Sequence, residues 1–399
     1  MPVPLLDLSR QYDRIRDAVN AEIESVVASQ SFILGPKVEE LESGIVEITG
    51  ANHAVGMSSG TDAWLAILMA EGWGPGDAII TTPYTFFATV GCVHRLGIET
   101  VFVDIDPVTF NLDPRQLEAR LAEFSTSPEG ELRTAKGNVV RAVVPVHLFG
   151  LCCEMDAILA LASRHDLKVV EDAAQAIGAE YPSPDGTVQA GAIGEYAYFS
   201  FFPAKNLGAY GDAGLATCRA ESDAARLRLV RNHGMEQRYY HPEVGGNFRL
   251  DALQAAVLNA KLPHVATWNA ERRTNADRYA AAFAAAGLTD RLSLPRRPFE
   301  GKVGSDHIFH QYVLRAPHRD ALSKHLGEHG IGHGIYYPVP LHRQQCFEYL
   351  GYPEGSLPTA EAAARETIAL PIFSELREDE IAEIVETIAR FYETSPSHG

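Results

Sequence analysis

Cysteine is scarce. Five occur in 399 residues, Cys92, Cys152, Cys153, Cys218 and Cys346, and no two form a C-x-x-C pair. A low, odd count argues against a disulfide framework and fits a reducing compartment. Cys152 and Cys153 are adjacent, which suits packing rather than metal binding. Long apolar runs are missing: none reaches the roughly 18 residues of a spanning helix. The start, MPVPLLDLSRQYDRI, lacks the basic residues and apolar stretch of a secretory signal. The expectation is a cytoplasmic protein with no membrane partner. Basic residues are outnumbered, 34 against 52 acidic, for a net charge of -18. No broad basic face is on offer to nucleic acid. A small anion is still admissible, because a few arginines or a helix N-terminus can hold one. Internal repeats and low-complexity tracts are lacking as well.

What the chain does contain is alternation. Short apolar runs recur: AVGM (54–57), AIIT (78–81), TVFV (100–103), AVVPV (142–146), KVVE (168–171) and YAYFS (196–200). Between them, TDAWLAILMA and DAILALASRH carry the 3.6-residue apolar spacing of helices. Strand and helix in turn predict a mainly parallel sheet covered on both faces. FSTSPEGELRTAKGN (124–138) reads as a surface insertion and PSPDGTVQAG (182–191) as a hairpin or loop. The pattern turns more helical after about Leu250, with a domain change placed between 246 and 260. EDEIAEIVETIARFYE closes the chain as an amphipathic helix, and TSPSHG should fray.

Ligands of open parallel sheets gather beyond the carboxyl ends of the strands. After AVGM comes SSGTDAW, where Gly60 and Thr61 open a helix. Its free N–H groups suit an anion, although Ser59 or Thr61 is also an ordinary cap. After AIIT, Phe86 and Phe87 could lie on a planar ring or belong to the core. After KVVE, Asp172 ends a buried strand, where a carboxylate needs a partner. A cationic ring nitrogen would serve; so would a helix to cap. Gln175 follows one helical turn later. After YAYFS, Ser200 ends the strand and Lys205 stands in SFFPAKNLGAYGDAG. A lysine fixed there could be a surface residue, or a nucleophile toward a carbonyl. An anion cradle, a stacking aromatic, a buried acid and a lysine are together what pyridoxal 5'-phosphate requires.

The same residues resemble the DegT/DnrJ/EryC1/StrS aminotransferases. The likeness runs through SFILGPKVEELE, SSGTDA, VDIDPVTFNLD, PVHLFG, VVEDAAQAIGA, SFFPAKNLGAYGDAG, RNHG, GGNFRLDALQAA and YPVPLH, in that order. It implies an α/β protein of the pyridoxal-phosphate transferase fold type I. A large domain (31–248) with a central, mainly parallel seven-stranded sheet would follow an N-terminal segment (1–30). A smaller C-terminal α+β domain (249–399) would complete it. By resemblance, Lys205 joins the cofactor aldehyde and later moves the proton, and Asp172 keeps the pyridine nitrogen protonated. Gln175 meets the ring hydroxyl and Phe86 stacks. Gly60, Thr61 and Ser200 hold the phosphate. Asn247 reaches the phosphate of a second copy, so a homodimer with composite sites is implied. Arg231, His233, Arg238 and Arg249 are candidates for the substrate diphosphate, although each arginine could equally form a surface ion pair. Tyr337 and His342 would approach the sugar.

The implied reaction moves an amino group, from L-glutamate by family analogy, to a nucleotide-linked keto sugar. YPVPLH resembles the versions found in enzymes acting at C3, which points to a 3-keto hexose; a 4-keto-6-deoxy sugar is the alternative. The family's dehydratases carry histidine where Lys205 stands. Ala213 and Phe202 depart from the commoner Gly and His of the motif without changing its chemistry. A non-catalytic pyridoxal-phosphate-binding regulator would not need Lys205, Asp172 and Gln175 together. A nicotinamide dehydrogenase would need G-x-G-x-x-G where SSGTDA stands.

Overall fold

The computed structural model describes residues 2–184 and 186–394. Seven strands make the main path of the central sheet: β1 (His53–Met57), β2 (Asp77–Thr81), β3 (Glu99–Phe102), β4 (Val139–Val144), β5 (Lys168–Asp172), β6 (Tyr196–Ser200) and β7 (Gly214–Cys218). Their spatial order is β1-β7-β6-β5-β4-β2-β3. β7 pairs antiparallel with both neighbours, and the other pairings are parallel. The expected mainly parallel α/β architecture is therefore present.

Both faces of the sheet are dry. On β2, Ala78 and Ile80 join a core with Leu117, Leu121, Met155 and Ile158 of two helices. Ile79 points the other way, into a core with Trp64, Leu65, Val93 and Leu227. This period-two alternation, apolar at every step, is the pattern of a strand buried on both sides. Two segments differ from expectation and a third, 182–191, agrees with it. β7 was not evident as a strand, because GLATC is a short buried run directly after a glycine-rich loop, with no alternation to mark it. The 124–138 insertion is partly ordered: Ser125–Thr126 and Leu132–Arg133 form two short strands that extend the sheet beside β4. The 182–191 segment belongs to a hairpin, Glu180–Ser183 against Gly186–Gln189.

A second apolar core surrounds the antiparallel pair Tyr312–Arg315 and Thr367–Leu370. It takes in Tyr279 and Phe283, Leu322 and Leu326, and Ile384 and Ile388 from three helices, with Val3 from the N-terminal segment. The helix Ala252–Lys261 packs instead against Leu8–Ser29 and Pro36–Thr49, on the flank of the large sheet. No described helix is long and apolar enough to cross a membrane. The tail from Ser395 on, expected to fray, lies outside the described residues.

Candidate active site

Strand register explains which residues meet. Ser200 and Met57 both pair with Gly214, which brings the ends of β1 and β6 to either side of it. Tyr198 sits opposite Asp172 across the parallel β5–β6 pair. A cavity of about 690 Å³ opens at these ends. Gly60, Thr61, Phe86, Asp172, Gln175, Ser200, Lys205 and Tyr337 all line it.

At one end lies the first turn of the helix Gly60–Ala70. Ser59 caps it, its hydroxyl accepting from the Asp62 N–H at 3.0 Å. The N–H groups of Gly60 and Thr61 precede any intrahelical partner and remain available to an anion. Packing here tolerates no side chain. A Cβ on Gly60 would lie 2.8 Å from Ser200 Cβ, and one on Gly214 would lie 2.2 Å from the Ser59 carbonyl carbon.

Asp172 is buried and accepts hydrogen bonds on both oxygens. Oδ2 accepts from Thr89 Oγ1 at 2.7 Å and from Tyr198 Oη at 2.6 Å. Oδ1 accepts from the Ala174 N–H at 3.2 Å. Burial and the Asp172 charge push the Tyr198 hydroxyl well above its usual range, so it stays a donor. The neighbouring Glu171 points to the opposite face. There it accepts from the Gly191, Ile193 and Gly194 N–H groups and from His147 Nε2, which fixes the strand end. Gln175 is oriented from both sides. Its Oε1 accepts from the Phe149 N–H at 2.7 Å and its Nε2 donates to Tyr337 Oη at 3.1 Å. One amide hydrogen is left for the cavity.

Lys205 stands on the turn after β6, its backbone N–H on the Phe202 carbonyl. The turn is tight: a Cβ on Gly208 would lie 2.3 Å from the Pro203 oxygen. Buried Lys261 secures it by donating to the Gly208 carbonyl at 2.7 Å. Desolvation lowers the Lys205 amine from 10.5 to about 8, against the opposing pull of Asp172. An amine so placed is a ready nucleophile. Phe86 and Phe87 are 58 % and 46 % exposed, so neither belongs to the core. Phe86 faces the cavity, and Phe87 also stacks on Phe347 at 5.5 Å.

The remaining candidates lie outside the cavity. Arg231 is buried and donates to Glu42 at 2.8 Å and to the Gly56 carbonyl at 3.1 Å, so it ties a helix to β1. His342 is buried against Glu361 at 3.1 Å, and burial holds it below its usual range. Arg249 donates to Asn232 Oδ1. Asn247 bridges to Asn232 through the backbone. His233 takes a positive φ of 60° and bonds Gly246, while Arg238 lies over the exposed Tyr239 ring. Sequence reasoning missed Thr89, Tyr198, His310 and Tyr336. Thr89 stood within TPYTFFATV and His310 within FHQYVLR, but nothing local marks either as facing a cavity.

The donor set fits pyridoxal phosphate. It offers free N–H groups with a serine for a phosphate, an exposed aromatic face, a buried carboxyl group and an enclosed amine. Comparison with known proteins agrees. Residues 13–389 match the DegT/DnrJ/EryC1/StrS aminotransferase family. The chain is 45 % identical to a protein of Geobacillus stearothermophilus named pleiotropic regulatory protein, over 98 % of this chain and 99 % of that one. It is 39 % identical to the UDP-N-acetyl-3-dehydro-alpha-D-glucosamine 3-aminotransferase of Acidithiobacillus ferrooxidans, over 97 % of each. The crystal structure of Streptomyces venezuelae DesV with a ketimine intermediate superposes with a TM-score of 0.88 at 36 % identity, covering 99 % of this chain and 100 % of that one. With a family match across nearly its whole length, the chain belongs to the pyridoxal-phosphate-dependent DegT/DnrJ/EryC1/StrS aminotransferases.

Proposed function

We propose that the protein transfers an amino group from L-glutamate to a nucleotide-linked 3-keto hexose in the cytoplasm. The observation that carries this reading is the convergence of Lys205, Asp172 and the helix N-terminus at Gly60 on one cavity. When bound, pyridoxal phosphate supplies the electron sink that acidifies the donor's α-carbon and carries the amine between substrates. Gly60, Thr61 and Ser200 hold its phosphate. Asp172 keeps the ring nitrogen protonated, Gln175 spends its remaining amide hydrogen on the ring hydroxyl, and Phe86 covers a ring face. Lys205, lowered by burial, takes the proton from the donor's α-carbon and returns it one position along. Tyr337, on the far wall, approaches the sugar. Asn247 serves the phosphate of a second copy's site. Attack at C3 follows the YPVPLH motif and the named 3-aminotransferase relative. A 4-keto-6-deoxy sugar is the alternative substrate.

A second reading is a regulator that binds the cofactor without turnover, and it is favoured by the name of the 45 % identical relative. One experiment separates them. The protein is loaded with pyridoxal phosphate, reduced with borohydride and digested. The expected result is a pyridoxyl group on Lys205 by peptide mass spectrometry, and none in Lys205→Ala. L-glutamate added before reduction should abolish the label, and a 3-keto sugar nucleotide should restore it. A label that ignores every amino donor would favour the regulator; a label elsewhere would end both readings.

A further inference from the structure

Tyr336, Tyr337, Pro338, Val339 and Leu341 form one continuous wall of the cavity. A residue with no role in the account above holds that wall from behind. Tyr84 is fully buried in the turn that follows β2 and does not itself line the cavity. Its hydroxyl lies 2.6 Å from the Tyr336 carbonyl oxygen and 2.7 Å from Thr367 Oγ1. A phenol has one hydrogen and a carbonyl can only accept, so that hydrogen goes to Tyr336. Thr367 is left to donate to the phenol oxygen or to the Ala363 carbonyl, 2.8 Å away. Burial pushes the Tyr84 hydroxyl up to about 12, so it keeps its hydrogen at neutral pH. Its ring meets that of Tyr337 edge-on, with centroids 6.0 Å apart. The preceding residue holds the other end of the wall, the Pro83 carbonyl accepting from the Leu341 N–H at 2.8 Å. The turn is fixed in its own right. The Tyr84 N–H donates to Thr82 Oγ1 at 3.2 Å, and Thr81 Oγ1 donates to the Val144 carbonyl at 2.8 Å.

We propose that Tyr84 is a positioning residue for the substrate wall: its hydroxyl, bonded to the Tyr336 carbonyl, sets where Tyr337 presents its own hydroxyl hydrogen to the keto sugar. That hydrogen is free to use. Gln175 Oε1 accepts from the Phe149 N–H, so its amide nitrogen is the atom that faces Tyr337. Tyr337 therefore meets Gln175 with a lone pair and keeps its hydrogen for a ligand. The Tyr84 bond acts on the main chain one residue before the ring it places. Among the described residues, the Tyr84 hydroxyl bonds neither Lys205 nor Asp172. It thus serves the half-reaction in which the sugar is bound more than the one in which Lys205 moves the donor's proton. This deepens the aminotransferase reading and rests on it.

The test compares wild type with Tyr84→Phe, which keeps the ring and removes only the hydroxyl, both loaded with pyridoxal phosphate. Tyrosine labelled with 13C at the carbonyl and 15N at the amide gives carbonyl–amide correlations only from Tyr–Tyr peptide bonds. The chain has two, 239–240 and 336–337, and the first is assigned by its loss in Tyr240→Phe. In Tyr84→Phe the 336–337 carbonyl should shift upfield while the 239–240 signal stays in place. An unmoved 336–337 carbonyl would overturn the proposal. Stopped-flow absorbance then follows each half-reaction alone. Amine transfer to the 3-keto sugar nucleotide that restores the Lys205 label should slow about tenfold. Amine transfer from L-glutamate should change little. A sugar half-reaction slowed no more than the glutamate half-reaction would reduce Tyr84 to a structural residue and overturn the assignment. Failure of the aminotransferase reading would show separately, as absence of the borohydride-fixed label on Lys205 in wild type.

Discussion

At the scale of single residues, Lys205 lies between two opposed forces. Burial disfavours its charge, the Asp172 carboxylate favours it, and burial wins, taking the amine from 10.5 to about 8. Between those values the unfolded chain binds more protons than the folded one, so stability rises with pH through that window. Other groups titrate there too, Lys261 among them, so the comparison must be differential. In cofactor-free protein, Lys205→Met should be more stable to urea than wild type below pH 8, and the gap should close toward pH 10.5. A gap that does not change with pH would mean that Lys205 is not desolvated. Asp172 supplies a second test. Its Oδ2 is held by Thr89 and Tyr198, and removing a hydrogen-bond donor from a buried acceptor costs about 1–3 kcal/mol. Thr89→Val and Tyr198→Phe should each weaken cofactor binding by about tenfold. Equilibrium dialysis reads the effect, and an unchanged affinity in the double variant would refute this role for the pair.

At the scale of elements, the site depends on how closely β7 approaches the helix Gly60–Ala70. Gly214 sits where a Cβ would come within 2.2 Å of Ser59 and 2.3 Å of the Gly60 nitrogen, both backbone atoms that cannot turn aside. Gly214→Ala should therefore push the helix N-terminus off the end of β6. The expected cost is about 1–3 kcal/mol of stability, with a larger loss in phosphate-dependent binding. If pyridoxal phosphate lost no more affinity than unphosphorylated pyridoxal, the helix end would not be the phosphate site. Here too the reach of sequence reasoning becomes clear. Asp172, Ser200 and Lys205 were legible because the strands before them are continuous apolar runs and ligands collect at such ends. β7 was not legible, because GLATC has no alternation to mark it and its pairing with β1 depends on residues far along the chain. The ion pair of Arg231 was hidden for the same reason. Its partner Glu42 stands 189 positions away, and no local pattern separates a buried structural arginine from a substrate contact. Tyr198 was invisible because only the register of the sheet brings it to Asp172, and Thr89 because it reaches Asp172 from the helix Ala88–Arg95, 83 positions away.

At the scale of the whole molecule, a surface remains to be explained. Tyr239, Tyr240 and Val244 are 77 %, 68 % and 87 % exposed on the loop between Arg231 and Asn247. Phe32 and Ile33 are exposed as well, in a segment that Ala252 ties to the end of the same loop. Exposed apolar side chains of this kind are what a self-association face presents. Asn247 lies at the end of that loop and outside its own chain's cavity, so its proposed role at the cofactor phosphate needs a second copy. In such a dimer each site would combine Lys205 of one chain with Asn247 of the other. Lys205→Ala and Asn247→Ala homodimers should each be nearly inactive, one lacking the amine and the other a phosphate contact in both sites. Unfolding and refolding an equal mixture gives hybrids in which one site holds both substitutions and the other holds neither. Half of the dimers formed at random are hybrids, so activity should return to about a quarter of wild type. If both residues acted within one chain, every site in the mixture would carry one lesion and no activity would return.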